Sequence, residues 1–277
     1  MSIRKISLIF CIVIPLALSG WQTASGENPL DKASPPASAP SAESAEKPAK
    51  TGEAVPADAS AQTGKTDPAD VSAQKPAESE AVSAEILEEI LTGVEKRYSG
   101  KGFIAYFTQK STIKAMEITD TAEGKVFIKR PGMMRWEYEK PEKQIILTDG
   151  EQLWIFKPED NQVMTGTAPA YFGDGKGGSI LSDIRIIREK FTVSAQSRKD
   201  SEYYKLILLP KVKKPDLASL HLFIAKKSND IERIVTYNAY EDETLIEMTH
   251  LQFDQTIDDS VFSFQIPEGA DVVQLEE

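Results

Sequence analysis

The chain has 277 residues, with 32 Lys and Arg against 43 Asp and Glu, a formal net charge of −11 at pH 7, and one cysteine. Acidity without a Lys/Arg-rich run argues against a nucleic-acid or anionic-membrane binder, either of which needs a basic patch. The one thiol, Cys11, lies in an N-terminal apolar run that export would remove, so disulfide and cysteine chemistry are not expected.

Arg4 and Lys5 precede that run, which extends from Ile6 to Leu18 and is broken by Ser7 and Pro15. At roughly 13 residues it suits a signal peptide core and is short for a membrane span. Small residues follow at Ala17-Leu18-Ser19 and Ala24-Ser25-Gly26. Residues 1–26 are therefore read as a signal peptide for export to a bacterial periplasm. Cys11 follows Phe10 inside the run, so it does not form a lipidation site. Residues 27–82 are rich in Ala, Pro, Ser, Glu and Lys, and no aromatic occurs between Glu27 and Glu85. Such a segment buries too little apolar surface to offset its ordering entropy, so a disordered linker is expected, with an r.m.s. span of roughly 40 Å. Residues 83–277 are left as one domain, long enough for a single large core.

That domain opens on "SAEILEEILTGVEKRYSG", where Ile86, Leu87, Ile90, Leu91, Val94 and Tyr98 share one helical stripe. Ser83 is placed as N-cap and Gly100 as the stop. Period-two alternation follows: "GFIAYFTQK", "KAMEIT", a turn at Ala122-Glu123-Gly124, "KVFIKR", "MMRWEYE", "KQIILT", the Asp149-Gly150 hairpin signal, "EQLWIF" and "NQVMTG". "YFGDGKGGSILSDIRIIREKF" interrupts the strands with a glycine-rich loop and helical spacing at Ile180, Leu181, Ile184 and Ile187. Strands resume with "FTVSAQS", "YYKLILLP", "SLHLFIAK", "IERIVTYNA", "TLIEMTHLQF" and "SVFSFQIP". The expected fold is mainly β (α+β): about ten antiparallel strands in one curved sheet, an incomplete barrel whose apolar face is covered by helices from two segments.

An enzyme is not expected. His221 and His250 are the only histidines and sit in alternating strands without metal-ligand partners in sequence. "GDGKGGS" lacks the spacing that cradles a phosphate, and no serine sits in a G-x-S-x-G elbow. No metal site and no cofactor is expected. "FIKRPGMMRWEYEKP", residues 127–141, is more informative. If the turn keeps register, Arg130, Met134, Trp136 and Tyr138 share one face, placing a guanidinium beside an apolar stripe. Arginine offers five donors in fixed geometry and stays charged, so it suits carbonyls of a covering segment.

The run Gly124-x-x-Phe-Ile-Lys-Arg-Pro-x-x-Met-Arg-Trp, followed by "IILTDGEQLWIFKPEDNQV", resembles the LolA family of periplasmic outer-membrane lipoprotein carriers. "FIAYFTQK" is similar to that family's first strand and "DDSVFSFQIPEGADV" to its closing segment. The resemblance implies a lidded incomplete β-barrel, without a cofactor and as a monomer. Such a carrier takes acylated lipoproteins from an inner-membrane lipoprotein-releasing ABC transporter to an outer-membrane acceptor. It implies Arg130 as the lid latch, followed by Pro131. Phe103, Phe107, Met134, Trp136, Tyr138, Trp154 and Phe156 are expected in the acyl-chain cavity, and Ile86, Ile90, Leu91, Ile180 and Leu181 in the lid. Met134 stands where the family often has phenylalanine; methionine is soft enough to keep a lipid-facing role. The alternative is an envelope-stress or lipid-sensing regulator on the same fold.

Overall fold

In the computed structural model, residues 79–173, 175 and 177–275 are described. The signal segment, Cys11 and the linker up to residue 78 lie outside the described residues. The expected linker boundary at 82 shifts: β1 (Glu80–Ala81) pairs with residues 196–197. Val82 N also donates to the carbonyl of Ala195 at 3.1 Å.

α1 (Ala84–Arg97) starts where the sequence puts it, with Ser83 Oγ accepting from Ile86 N. Its stripe meets the sheet through Leu87, Ile90, Leu91 and Val94 and continues to the fully buried Tyr98. Ile86, expected in the cover, is 40% exposed, because the first turn precedes the point where the stripe reaches the core. At the other end Arg97 Nε reaches Asp230 at 2.5 Å and its guanidinium lies 3.7 Å from the centroid of the Phe253 ring.

β2 (Gly102–Ile113) and β3 (Ile118–Lys129) pair residue for residue along their whole length. Their turn falls at Lys114–Met116, with Glu117 in the left-handed region, and not at Ala122-Glu123-Gly124. Gly124 is a mid-strand glycine at a bulge opposite β4 (Met133–Lys140). A Cβ there would stand 2.0 Å from the carbonyl oxygen of Glu137, so the residue serves close backbone approach and not chain reversal. β5 (Gln144–Thr148), β6 (Gln152–Lys157) and β7 (Gln162–Thr167) continue the meander. The β5–β6 connection carries the expected Asp149-Gly150, with Asp149 Oδ1 accepting from Glu151 N and Gln152 N.

After β7 come α2 (Ala168–Phe172), a 3-10 turn at Gly177–Leu181 and α3 (Ile186–Lys190). Five further strands follow, β8 (Phe191–Ser197), β9 (Tyr203–Pro210), β10 (Ser219–Ala225), β11 (Ile231–Tyr237) and β12 (Glu243–Phe253). "SVFSFQIP" is not a strand. Asp259–Phe262 form a 3-10 turn capped by Asp258, and the closing strand is β13 (Asp271–Gln274). β13 runs parallel to β7, so the chain between β12 and β13 must first cross the sheet.

The thirteen strands make one open sheet in the order β1-β8-β9-β10-β11-β12-β2-β3-β4-β5-β6-β7-β13, antiparallel except for β7–β13. The sheet is an incomplete barrel with helices. Alternation sends Phe103, Ala105, Phe107, Val126, Ile128, Met134, Trp136, Ile146, Leu153, Ile155, Leu206, Leu222, Ile234 and Ile246 to its inner face, all buried in one core. At roughly 1.5–3 kcal/mol per large apolar side chain, that face is the main favourable term of the fold.

Candidate functional site

The inner face carries an aromatic row set by strand register. Trp136 lies opposite Val126 and Ile146, and Tyr138 opposite Gly124 and Gln144. Phe107 meets both rings edge-on, at 4.9 Å from Trp136 and 5.0 Å from Tyr138. Towards the β3–β4 turn, Phe103 packs edge-on to Tyr98 of the helical cover at 5.6 Å. Polar atoms on this face are paired locally. Tyr138 Oη donates to Gln109 Oε1 at 3.0 Å, and Ile231 N donates to Tyr98 Oη at 2.9 Å. Burial raises the Tyr98 phenol pKa, so it stays protonated.

The segment after β7 lies on this row. Ile180, Leu181, Ile184 and Ile187 are buried against the core, and the 3-10 turn touches β11 and β12. Gly178 shows why the loop is glycine-rich: a Cβ there would stand 2.0 Å from the indole of Trp136. The main chain of the cover therefore rests directly against the tryptophan ring.

Arg130 sits at the end of β3, in the turn into β4. Its Nη1 donates to the carbonyl of Gly100, just beyond α1, at 2.7 Å, and its Nη2 donates to the carbonyl of Leu181 at 3.3 Å. One side chain thus touches the ends of both covering segments. Its Nε is buried without a hydrogen-bond partner among the described residues. Its guanidinium carbon lies 5.5 Å from the Tyr98 ring and 5.9 Å from that of Phe103. Burial lowers its pKa from the ordinary value, and nearby Asp183 works in the opposite direction. Asp183 is itself taken up by Arg185, at 2.8 and 2.9 Å. Pro131 is exposed and belongs to the turn.

Trp154 and Phe156, expected in the cavity, lie on the opposite face of β6, and Leu153 and Ile155 take the inner positions. The outer pair meets Phe264 at 6.1 and 5.6 Å, within the segment crossing from β12 to β13. Arg135 Nη1 donates to the carbonyl of Val261 at 3.1 Å and Lys129 Nζ to that of Ile257 at 2.8 Å, tying the segment down. β6 is apolar on both faces because both are covered, and alternation alone carries no mark of inside and outside there. Gly178 and the inner pair Leu153 and Ile155 went unread for the same reason: their roles depend on what lies across the sheet.

Among the described residues, no group of three or more His, Cys, Asp or Glu side chains is placed to hold a metal ion. No helix among them is long and apolar enough to cross a membrane. His221 lies on the outer face, in a cleft of about 660 Å³ with Tyr237, Glu243 and Lys114. Burial, with Lys205 nearby, pushes its pKa down to about 4. His250 sits at a bulge of β12, its ring 5.9 Å from Tyr106.

The arrangement defines a class: an open β half-barrel whose apolar face is closed by a cover, with a half-buried arginine joining the parts of that cover. The family model described as outer membrane lipoprotein carrier protein LolA matches residues 99–265. An outer-membrane lipoprotein carrier protein of Cupriavidus pinatubonensis is 28% identical over 194 residues, covering 70% of this chain and 88% of its own. One from Neisseria meningitidis serogroup B is 26% identical over 172 residues, covering 62% and 80%. Among solved structures, an uncharacterized conserved protein from Thermus thermophilus covers 69% of this chain and 99% of its own at 16% identity, with a TM-score of 0.44. A LolA superfamily protein from Nitrosomonas europaea covers 64% and 97% at 13% identity, with a TM-score of 0.39. The chain belongs to the LolA family of outer-membrane lipoprotein carrier proteins.

Proposed function

We propose that the protein is a periplasmic carrier that holds the acyl chains of lipoproteins against its inner sheet face and moves them from the inner to the outer membrane. The observation carrying this reading is the pairing of a predominantly apolar inner face with a cover joined through Arg130. Phe103, Phe107, Met134, Trp136 and Tyr138 are proposed to line the acyl cavity, with Ile90, Leu91, Ile180 and Leu181 as the part of the cover that acyl chains displace. The cargo is received from an inner-membrane lipoprotein-releasing ABC transporter and passed to an outer-membrane acceptor, by a monomer performing no chemistry of its own. Residues 1–26 act as the export signal.

Magnitudes explain why the cover must compete with the cargo. Each buried CH₂ contributes roughly 0.8 kcal/mol, so several acyl chains in a permanently open cavity would gain tens of kcal/mol and never leave. Here Ile180, Leu181, Ile184 and Ile187 lie against the apolar face, and loading must first move them. Net affinity falls by the cost of opening, which leaves hand-over to a slightly better cavity feasible. Arg130 suits a releasable latch: its bonds go to neutral carbonyls, each worth about 1.5–3 kcal/mol at most to a charged donor.

Native mass spectrometry of protein purified without detergent from its own periplasm tests the reading. Co-purified acylated proteins are expected, lost on adding detergent and enriched in Arg130→Leu, where the weakened closed state no longer expels cargo. An empty protein in both forms would overturn it.

A further inference from the structure

The two covering segments are also joined to each other, away from Arg130. Glu88 and Glu95 stand two turns apart on one face of α1, and Arg188 of α3 lies against both. Arg188 Nη1 and Nη2 donate to the two oxygens of Glu88 at 2.9 and 2.7 Å, a fork-to-fork pair. Its Nε donates to Glu95 Oε1, and Nη2 also reaches Glu95 Oε2 at 3.4 Å. The residues so joined are 100 and 93 positions apart in the chain. The far end of α3 is pinned as well: Lys211 Nζ donates to the carbonyls of Arg188 and Glu189, both at 3.0 Å.

An isolated exposed ion pair would carry little meaning, because such pairs contribute little. Here one guanidinium takes two carboxylates, and it bridges directly two segments that also share Arg130 of the sheet. Its chemistry also differs from that of Arg130. Arg130 is sunk against Tyr98 and Phe103 and binds neutral carbonyls, whereas the Arg188 side chain is 36% exposed and its partners are anions. Salt weakens the second kind of contact far more than the first.

We propose that Arg188 is a positioning residue of the cover: it locks α3 to α1 so that the two segments open as one piece, and it makes closure depend on ionic strength. This rests on the reading of the inner face as a binding cavity.

The test is binding of the apolar fluorescent probe bis-ANS to the full protein at about 0.01 M and about 1 M NaCl, where screening lengths are about 30 and 3 Å. Arg188→Gln, and separately the double variant Glu88→Gln/Glu95→Gln, are expected to bind the probe roughly fivefold more tightly than wild type at low salt. At high salt the gap closes, because wild type rises to meet the variants. Arg188→Glu combined with Glu88→Arg and Glu95→Arg is expected to restore the wild-type low-salt value, which loss of packing by the arginine stem would not allow. Neutral variants that match wild type at low salt, or an offset unchanged by salt, overturn the proposal. Arg130→Leu separates the two ideas. If it alone raises probe binding, the clamp fails and the cavity reading stands; if no variant binds the probe at either salt, both fail.

Discussion

The sheet has two covers, and the same fifteen residues, Phe127 to Pro141, hold both down. On the inner face Arg130 donates to the carbonyls of Gly100 and Leu181. On the outer face Lys129 and Arg135 donate to the carbonyls of Ile257 and Val261. The difference lies in how the charges are compensated. Arg135 also takes Glu137 at 2.6 Å and Lys129 also takes Asp259, so each outer cation has a carboxylate in contact. Arg130 has neutral carbonyl partners, a buried Nε without a partner among the described residues, and a charge partly withdrawn from water. A half-buried charge held by carbonyl dipoles, with nearby Asp183 already taken up by Arg185, gains more from a change of surroundings than one in direct contact with a carboxylate. On the proposed carrier reading, the outer cover is the fixed one and the inner one is the part that opens.

The contrast can be broken by variants, starting with the outer cover. Phe262 is fully buried, so Phe262→Ala should lower the unfolding free energy by about 3–5 kcal/mol in urea denaturation. The amount of cargo retained per folded molecule should not change; a drop would mean that the two covers are coupled. On the inner side, Gly178→Ala puts a methyl group 2.0 Å from the Trp136 indole. It should disfavour the closed cover by about 1–3 kcal/mol and raise bis-ANS fluorescence, and a closed, probe-excluding variant would show that the loop can shift without opening.

The bare part of the outer face gives a smaller effect. His221 is held neutral, its pKa lowered from 6.5 to about 4 by burial and Lys205. Below pH 6.5 the unfolded chain takes up a proton that the folded one refuses, so stability falls as pH drops towards 4. Allowing for its half exposure, the loss is about 1–2 kcal/mol, and His221→Gln should flatten that limb of a Tm-against-pH curve. Arg130→Leu should move stability least, by about 1 kcal/mol or less, because two hydrogen bonds are lost while the cost of a poorly paired buried charge is removed. Its effect should appear in cargo release instead, and a large fall in Tm with unaltered release would assign Arg130 to the scaffold.

Much of the fold was legible because strand alternation and helical spacing are local. Ser83 caps α1 as read, β8 and β9 begin where the alternation begins, and Asp149-Gly150 turns the β5–β6 hairpin. The failures were also physical. Ala122-Glu123-Gly124 carries turn chemistry but lies in a twelve-residue strand, where the glycine answers to the backbone of the neighbouring strand. "SVFSFQIP" alternates like a strand, yet has no strand partner of its own because it crosses the outer face to reach a parallel position beside β7. Trp154 and Phe156 lie outside because the segment crossing to β13 covers that face, which β6, apolar on both faces, does not mark in its own sequence.

By itself the sequence determined that Met134, Trp136 and Tyr138 share one face, that the sheet needs helical cover from two separate segments, and that an arginine stands at the end of β3. Only the tertiary structure decided which face of β6 is inside, where the C-terminal segment runs, and which carbonyls and carboxylates each arginine meets. Periodicity constrains a side chain relative to its own backbone. Which face becomes the interior, and whether a cation ends beside a carbonyl or a carboxylate, depends on segments more than a hundred residues away that meet only once the sheet has formed.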